Sequence, residues 1–219
     1  MKQLLIACFF VLLLGITACT FMPGNNKTKG SGVTKTEKRD VPQFASIEVS
    51  CSGVINLTSQ EKKSLEISGD DNIVPLITTE VKNNTLYIKS IKDYDPQSKL
   101  QINVSNPNFE KLVFAGAGEA TLSKIMNERL EVMVSGAGEV KASGETKEAA
   151  ITLTGAGMID AKDLHAIKTK VSSTGVGSID VYAAEQLDAN ATGVGDINYY
   201  GNPKYVNKQA TGLGHIAPK

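Results

Sequence analysis

Two hydrophobic patterns divide this chain. From Leu4 to Ile16 the side chains are apolar without interruption, whereas beyond about residue 41 apolar and polar positions alternate. Alternation at every second residue is the signature of a strand with one buried face. It is clearest as Leu130, Val132, Val134 and as Ala149, Ile151, Leu153, each followed by a pair of glycines. Past each pair it resumes, as Ala120/Leu122, Val140/Ala142, Ile159/Ala161 and Ile179/Val181. The hinge between the two alternating runs is small-Gly-apolar-Gly-x-apolar. It begins at Ala115, Ser135, Thr154, Thr174, Thr192 and Thr211, and the first glycines, Gly116 to Gly212, lie 20, 19, 20, 18 and 19 residues apart. Glycine at such a bend permits positive φ and close approach of neighbouring backbones. A unit of about 19 residues with two strands cannot close its own core, so successive units must stack. The pattern therefore predicts an all-β fold, a parallel right-handed β-helix or β-roll, with its regular Gly-x-Gly repeats over residues 111–219.

Upstream the same period is more irregular. Ile47, Val49 and Cys51 occupy the inward positions before Gly53, with Leu57 after it, which makes Cys51 a buried structural thiol. Leu65-Ile67-Gly69, Thr85–Ile88 and Leu100-Ile102-Val104 read as further strands, Asn83-Asn84 as a hairpin turn, and Asp93–Ser98 as a loop. Residues 41–110 are thus expected to be an irregular N-terminal β portion of the same solenoid. Residues 20–40, rich in Gly, Asn, Lys, Thr and Ser, carry almost no large apolar side chain after Met22 and read as a flexible tether with a span of roughly 25 Å.

The N-terminal apolar run is too short to span a bilayer and reads as the core of a signal peptide over residues 1–18. Leu14-Gly15-Ile16-Thr17-Ala18-Cys19 resembles the lipobox of bacterial lipoproteins, which implies a lipid-modified Cys19 as the mature N-terminus, the alternative being an ordinary secretory signal. Acyl chains there would anchor the protein to a membrane. Thr20, where inner-membrane lipoproteins of Gram-negative bacteria often carry Asp, favours the outer membrane and leaves the leaflet open.

Phe44-Ala45-Ser46-Ile47-Glu48-Val49, Gly53-Val54-Ile55-Asn56, Leu65-Glu66-Ile67-Ser68-Gly69-Asp70 and the later Ser/Thr-Gly-Ala/Val-Gly series resemble the autotransporter-adhesin head GIN family of Bacteroidetes-type bacterial lipoproteins. The likeness spans about residues 41–217. It implies a β-helical fold and a cell-envelope location, and it supplies no catalytic residue to carry over.

Composition narrows the chemistry. Twenty-three basic and 23 acidic side chains cancel, and a pI near 6.7 is unlike that of a nucleic-acid binder. Three cysteines are too few for a disulfide scaffold, and no Gly-x-Ser-x-Gly, Walker sequence or Cys/His cluster occurs. No cofactor is expected, and the chain does not read as an enzyme. A solenoid gathers chemistry down columns of equivalent outward positions. One column runs Glu119, Glu139, Met158, Ser178, Asp196, His215 and offers a carboxylate pair for a cation or for acid and base work. The next brings Asp160, Asp180 and Asn198 into line, oxygen ligands of the kind Ca²⁺ accepts, although a surface ladder is the commoner meaning. Tyr182, Tyr200 and Tyr205 gather near the C-terminus as a candidate ligand surface, for sugar rings or a subunit contact, while Tyr199 points inward by register. The last Gly pair lies close to Lys219, so an uncapped last rung is expected to favour self-association as a homo-oligomer. The expected function is presentation of a β-helical surface to a glycan or a protein. A purely structural envelope role and a polysaccharide-acting enzyme are the alternatives.

Overall fold

The computed structural model describes residues 27–219. The signal segment and Cys19 lie outside the described residues. Two short strands, β1 (Thr28–Lys29) and β2 (Thr34–Lys38), precede a first rung made of β3 (Ser46–Ser50) and β4 (Gly53–Ser59). An excursion follows: β5 (Ser64–Asp70), one turn of 3-10 helix (Val74–Leu76), β6 (Ile77–Lys82), β7 (Thr85–Ser90), β8 (Tyr94–Asp95) and β9 (Gln101–Asn106). The chain then climbs through β10 (Lys111–Phe114) and three long bent strands, β11 (Ala117–Val134), β12 (Ala137–Leu153) and β13 (Ala156–Ser173). It finishes with β14 (Val176–Tyr182), β15 (Gln186–Ala191), β16 (Ile197–Tyr200), β17 (Tyr205–Ala210) and β18 (Ile216–Pro218).

These strands stack as a parallel β-helix. The flank before each glycine pair runs β7, β3, β10, the second halves of β11, β12 and β13, then β15 and β17, every neighbour parallel. The flank after the pair runs β9, β4, the first halves of β11, β12 and β13, then β14, β16 and β18, again all parallel. A third side, residues 123–128, 142–147 and 162–167, joins the second flank back to the first, which is why β11, β12 and β13 run unbroken around two corners. The three long rungs differ in length by a residue, and the misfit is absorbed at the corner leading into that side. The register shifts between Leu122 and Ile125 and again between Lys141 and Ser143, with Lys124 in a left-handed conformation.

The glycine columns are held by space more than by conformation. The first glycine of each pair has no positive φ, yet a Cβ on Gly136, Gly155, Gly175, Gly193 or Gly212 would fall 2.0–2.1 Å from a carbonyl oxygen of the preceding rung. That approach is what lets each rung donate the next bond up the corner, as from Ala156 N to Gly136 O at 3.1 Å and from Val176 N to Gly155 O at 3.0 Å.

Inside, the columns are apolar and taper. Leu112, Val132, Ile151, Val171 and Ala189 stack in register, as do Phe114, Val134, Leu153, Ser173 and Ala191, and all are buried. Cys51 sits in this core as its position before Gly53 predicts, and Asn83 and Asn84, both at positive φ, turn β6 into β7.

The N-terminal half departs from a simple stack. The β3–β4 rung lies directly against β10 and β11, although some fifty residues separate them in sequence. The excursion between is placed outside it: β7 and β9 add a rung, and antiparallel β6 and β5 close its edge, with β2 antiparallel on β5. Residues 27–40, expected within a flexible tether, lie on the body instead. β2 contributes no core residue, but Asp70, fully buried, accepts bonds from the backbone N–H groups of Gly32 (2.8 Å), Gln97 (2.8 Å) and Ser98 (3.0 Å). Burial pushes the Asp70 carboxyl up, and the bonds from Ser98, Gly32 and Gln97 outweigh it, holding the group below its ordinary value. Arg39 adds a second tie, to Glu37 at 2.8 Å and to the carbonyl of Ile77.

Candidate functional site: the outward columns

Parallel stacking in register turns every outward position into a ladder with a spacing of about 4.8 Å. On the flank after the glycine pairs, Glu119 and Glu139 do lie on adjacent rungs. One of them, Glu139, holds a cation. The Lys141 ammonium sits 2.8 Å from Glu139, and its pKa is raised by that hydrogen bond and by the charges of Glu139, Glu119 and Asp160. Higher in the same column Asp196 accepts a bond from the His215 backbone at 3.1 Å.

Asp160, Asp180 and Asn198 stand on three consecutive rungs, in register. Their oxygens face donors within the protein. Lys162 pairs with Asp160, and Asn198 Nδ2 donates to Asp180 Oδ1 at 2.7 Å. Among the described residues no three His, Cys, Asp or Glu side chains converge as a metal site would require.

The tyrosines divide. Tyr182 and Tyr200 are neighbours across β14 and β16, and Tyr182 stacks on His165 with ring centroids 4.7 Å apart and planes at 27°. Gly201, at positive φ, turns the corner between them and Tyr205, which pairs with Gln186 on the opposite flank. Tyr199 is inward and buried, with Lys208 Nζ 5.5 Å from its ring centre. The three do not form one platform.

A depression lies where the third side meets the flank before the glycine pairs. This hollow of about 550 Å³ collects Glu110, Glu128, Glu131, Lys111 and Arg129, the carboxylate and base mixture that an enzyme reading would look for. Each carboxylate there has a partner: Glu131 with Lys111 at 2.9 Å, Glu128 with Lys147 at 2.7 Å, and Glu110 accepting from Asn108 at 3.0 Å. Cys51 is buried, and burial pushes its thiol up to about 12. Burial also raises the Tyr94 phenol, which accepts from Ser52 N at 2.8 Å and clamps the bend beside Cys51.

A family model described as "Putative auto-transporter adhesin, head GIN domain" matches residues 43–203. The chain belongs to this family. The head GIN match starts one residue before Phe44 and takes in the excursion and the first five glycine pairs; the sixth, with β17 and β18, lies beyond it. The chain is similar to a crystal structure of a putative adhesin from Bacteroides fragilis, with 29% identity over 87% of this chain and 99% of that one and a TM-score of 0.72. It shares its fold with a putative lipid binding protein from Parabacteroides distasonis, 23% identical over 88% and 99% of the two chains, TM-score 0.56. A putative adhesin from Parabacteroides merdae shares it too, at 19% identity over 88% and 99%, TM-score 0.52. No curated protein matches the chain. Among the described residues no helix is long and apolar enough to cross a membrane.

The sequence reading passed over one feature of this head GIN chain. On the flank before the glycine pairs, two outward ladders carry no charge over four rungs: Thr152, Ser172, Asn190, Gln209, and beside them Thr154, Thr174, Thr192, Thr211. The signal lies in the repeat, where five of the six opening residues are Ser or Thr, although small size alone suits that place at the bend.

Proposed function

We propose that this protein is an envelope lipoprotein of adhesin type, anchored through Cys19, which holds the flank of its β-helix against a partner outside the membrane. The observation that carries the reading is the direction of the solenoid relative to its N-terminus. Residues 27–40 are fastened to the capped end by Asp70 and Arg39, so seven residues separate Cys19 from the body, a reach of at most roughly 28 Å. The capped end then faces the bilayer, and the regular rungs from β11 to β18 project away from it. Membership of the head GIN family and the likeness to the Bacteroides fragilis adhesin support the same use. The paired carboxylates of the third-side hollow favour a non-catalytic surface over a polysaccharide-acting enzyme.

The test has two arms. Labelled palmitate is expected to enter the wild-type protein and not Cys19→Ala. Proteoliposomes bearing the full chain are expected to bind at least one member of a panel of glycans and envelope or host-surface proteins. Labelling that survives Cys19→Ala contradicts the anchor. Uniform absence of binding on a folded protein favours the structural role.

A further inference from the structure

We infer that the two uncharged ladders on the flank before the glycine pairs form a binding face for a neutral polysaccharide, made of Thr152, Thr154, Ser172, Thr174, Thr192 and Thr211 and bordered by an apolar edge of Val176, Val194 and Leu213. The inference rests on the proposed binding role and names the face and the ligand class.

Three observations carry it. The first is the regularity of the array. The residues stand on consecutive parallel rungs in register, so hydroxyl groups recur about every 4.8 Å along the solenoid and roughly 6.7 Å along each strand. The second is their freedom. On the flank after the glycine pairs the polar columns find partners within the protein: Lys141 with Glu139, Lys162 with Asp160 and Asn198 with Asp180. In the two uncharged ladders, among the described residues, only Thr154 uses its hydroxyl, on the Val134 carbonyl at 3.5 Å, while the other Thr and Ser hydroxyls of the array bond to none. Each hydroxyl offers one donor and two acceptors, which a polyhydroxylated chain reciprocates. The third is the edge. Immediately past the bend, the middle residues of the last three glycine pairs stack as Val176, Val194 and Leu213, exposed by 57%, 49% and 81%, where the preceding rungs carry only Ala. A sugar ring presents C–H faces as well as hydroxyls, and hydroxyl ladders beside an apolar ridge meet both.

Charge decides against an anionic polymer, since these ladders hold no cation and the charges beside them oppose one another on adjacent rungs, Lys170 with Asp188 and Lys168 with Glu148. Residue type decides against a protein partner. Protein interfaces concentrate Tyr, Trp, Met and Arg and are depleted in Ser, and over these four rungs neither ladder holds any of those anchors, Met133 lying one rung before Thr152.

Affinity electrophoresis of the full-length protein in detergent micelles, through gels containing dextran, mannan or hydroxyethylcellulose, tests the assignment, with dextran sulfate as the anionic control. Retardation by at least one neutral polymer and none by dextran sulfate beyond its charge effect is expected. Thr174→Lys with Thr192→Lys is expected to abolish that retardation, and Thr174→Val with Thr192→Val to weaken it about tenfold. Met126→Lys with Glu145→Gln adds the same charge on the third side and is expected to change nothing. Unchanged circular dichroism and melting show that the variants fold. Retardation that persists in the lysine pair overturns the face while leaving the binding role standing. Absence of retardation in every neutral gel overturns the ligand class, and it overturns the binding role as well if the protein panel is also negative. Binding to a panel protein alone would assign the flank to a protein partner instead.

Discussion

At the scale of single residues, two buried groups set the pH limits of the fold. Cys51 keeps its proton in the native state up to about 12, against an ordinary value of 9.0, so the unfolded chain releases a proton that the folded chain retains between those values. Stability is therefore full below about pH 9 and falls as pH rises towards 12, by about 1.4 kcal/mol per pH unit. The expected outcome is a urea midpoint that declines from pH 9 to 10.5 in a chain carrying Cys8→Ser and Cys19→Ser, with a shallower decline once Cys51→Ala is added. In the native state the same thiol should resist a disulfide reagent at pH 8. Asp70 acts at the other end. Its folded pKa is lowered, so its contribution is present above the ordinary value of 3.8 and is lost as pH falls through the folded one. Because its partners are Gly32, Gln97 and Ser98, acid or Asp70→Asn is expected to loosen the 27–38 segment before the rungs. Hydrogen exchange should show faster exchange over β1 and β2 with the protection of β11–β13 unchanged; uniform loss across the chain would contradict a local latch.

At the scale of elements, the repeat was legible because two independent periods coincide, alternation of two within a strand and about 19 between glycine pairs. That fixed which residues face inward and placed Cys51, Tyr199 and the Asp160–Asp180–Asn198 ladder correctly. What was not legible depends on pairing over long separations. Leu86/Ile88 and Ile102/Val104 carry the same alternation as any rung, and nothing local tells that β7 and β9 stack outside β3 and β4 and not between them and β10. The sequence Thr34-Lys35-Thr36-Glu37-Lys38 has no apolar residue, since β2 is held by an open strand edge and a buried carboxylate 32 or more residues away, so composition alone gave a tether. Tyr205 was grouped with Tyr200 by proximity in sequence, and the corner at Gly201 sends it to the other flank. The glycine columns give a direct test of the stacking. Gly155→Ala places a methyl 2.1 Å from the Gly136 carbonyl oxygen and is expected to cost at least about 2 kcal/mol in urea unfolding. Ala156→Ser, exposed one residue on, should stay within about 0.5 kcal/mol of wild type. Equal effects would mean that the corner is not as tightly stacked as described.

At the scale of the whole molecule, the two ends are built differently. The end near the N-terminus is covered by antiparallel β2, β5 and β6, whereas the inward column ends, in the last described rung, at Lys208, beyond Ala189. A lysine at an inward position is a device that discourages further strands from docking on an edge, so the physical case for end-to-end stacking is weaker than the open rung suggests. What the distal half presents broadside is the pair of uncharged ladders with their apolar edge. Hydroxyl-radical footprinting of the full-length protein in proteoliposomes, with and without a retained neutral polysaccharide, tests that most directly. Protection of Val176, Val194 and Leu213 with unchanged oxidation of Met126 and Tyr182 is the expected result. Protection at Met126 or Tyr182, with the Val176–Leu213 edge still open to oxidation, would place the binding surface on another side of the solenoid and contradict the account.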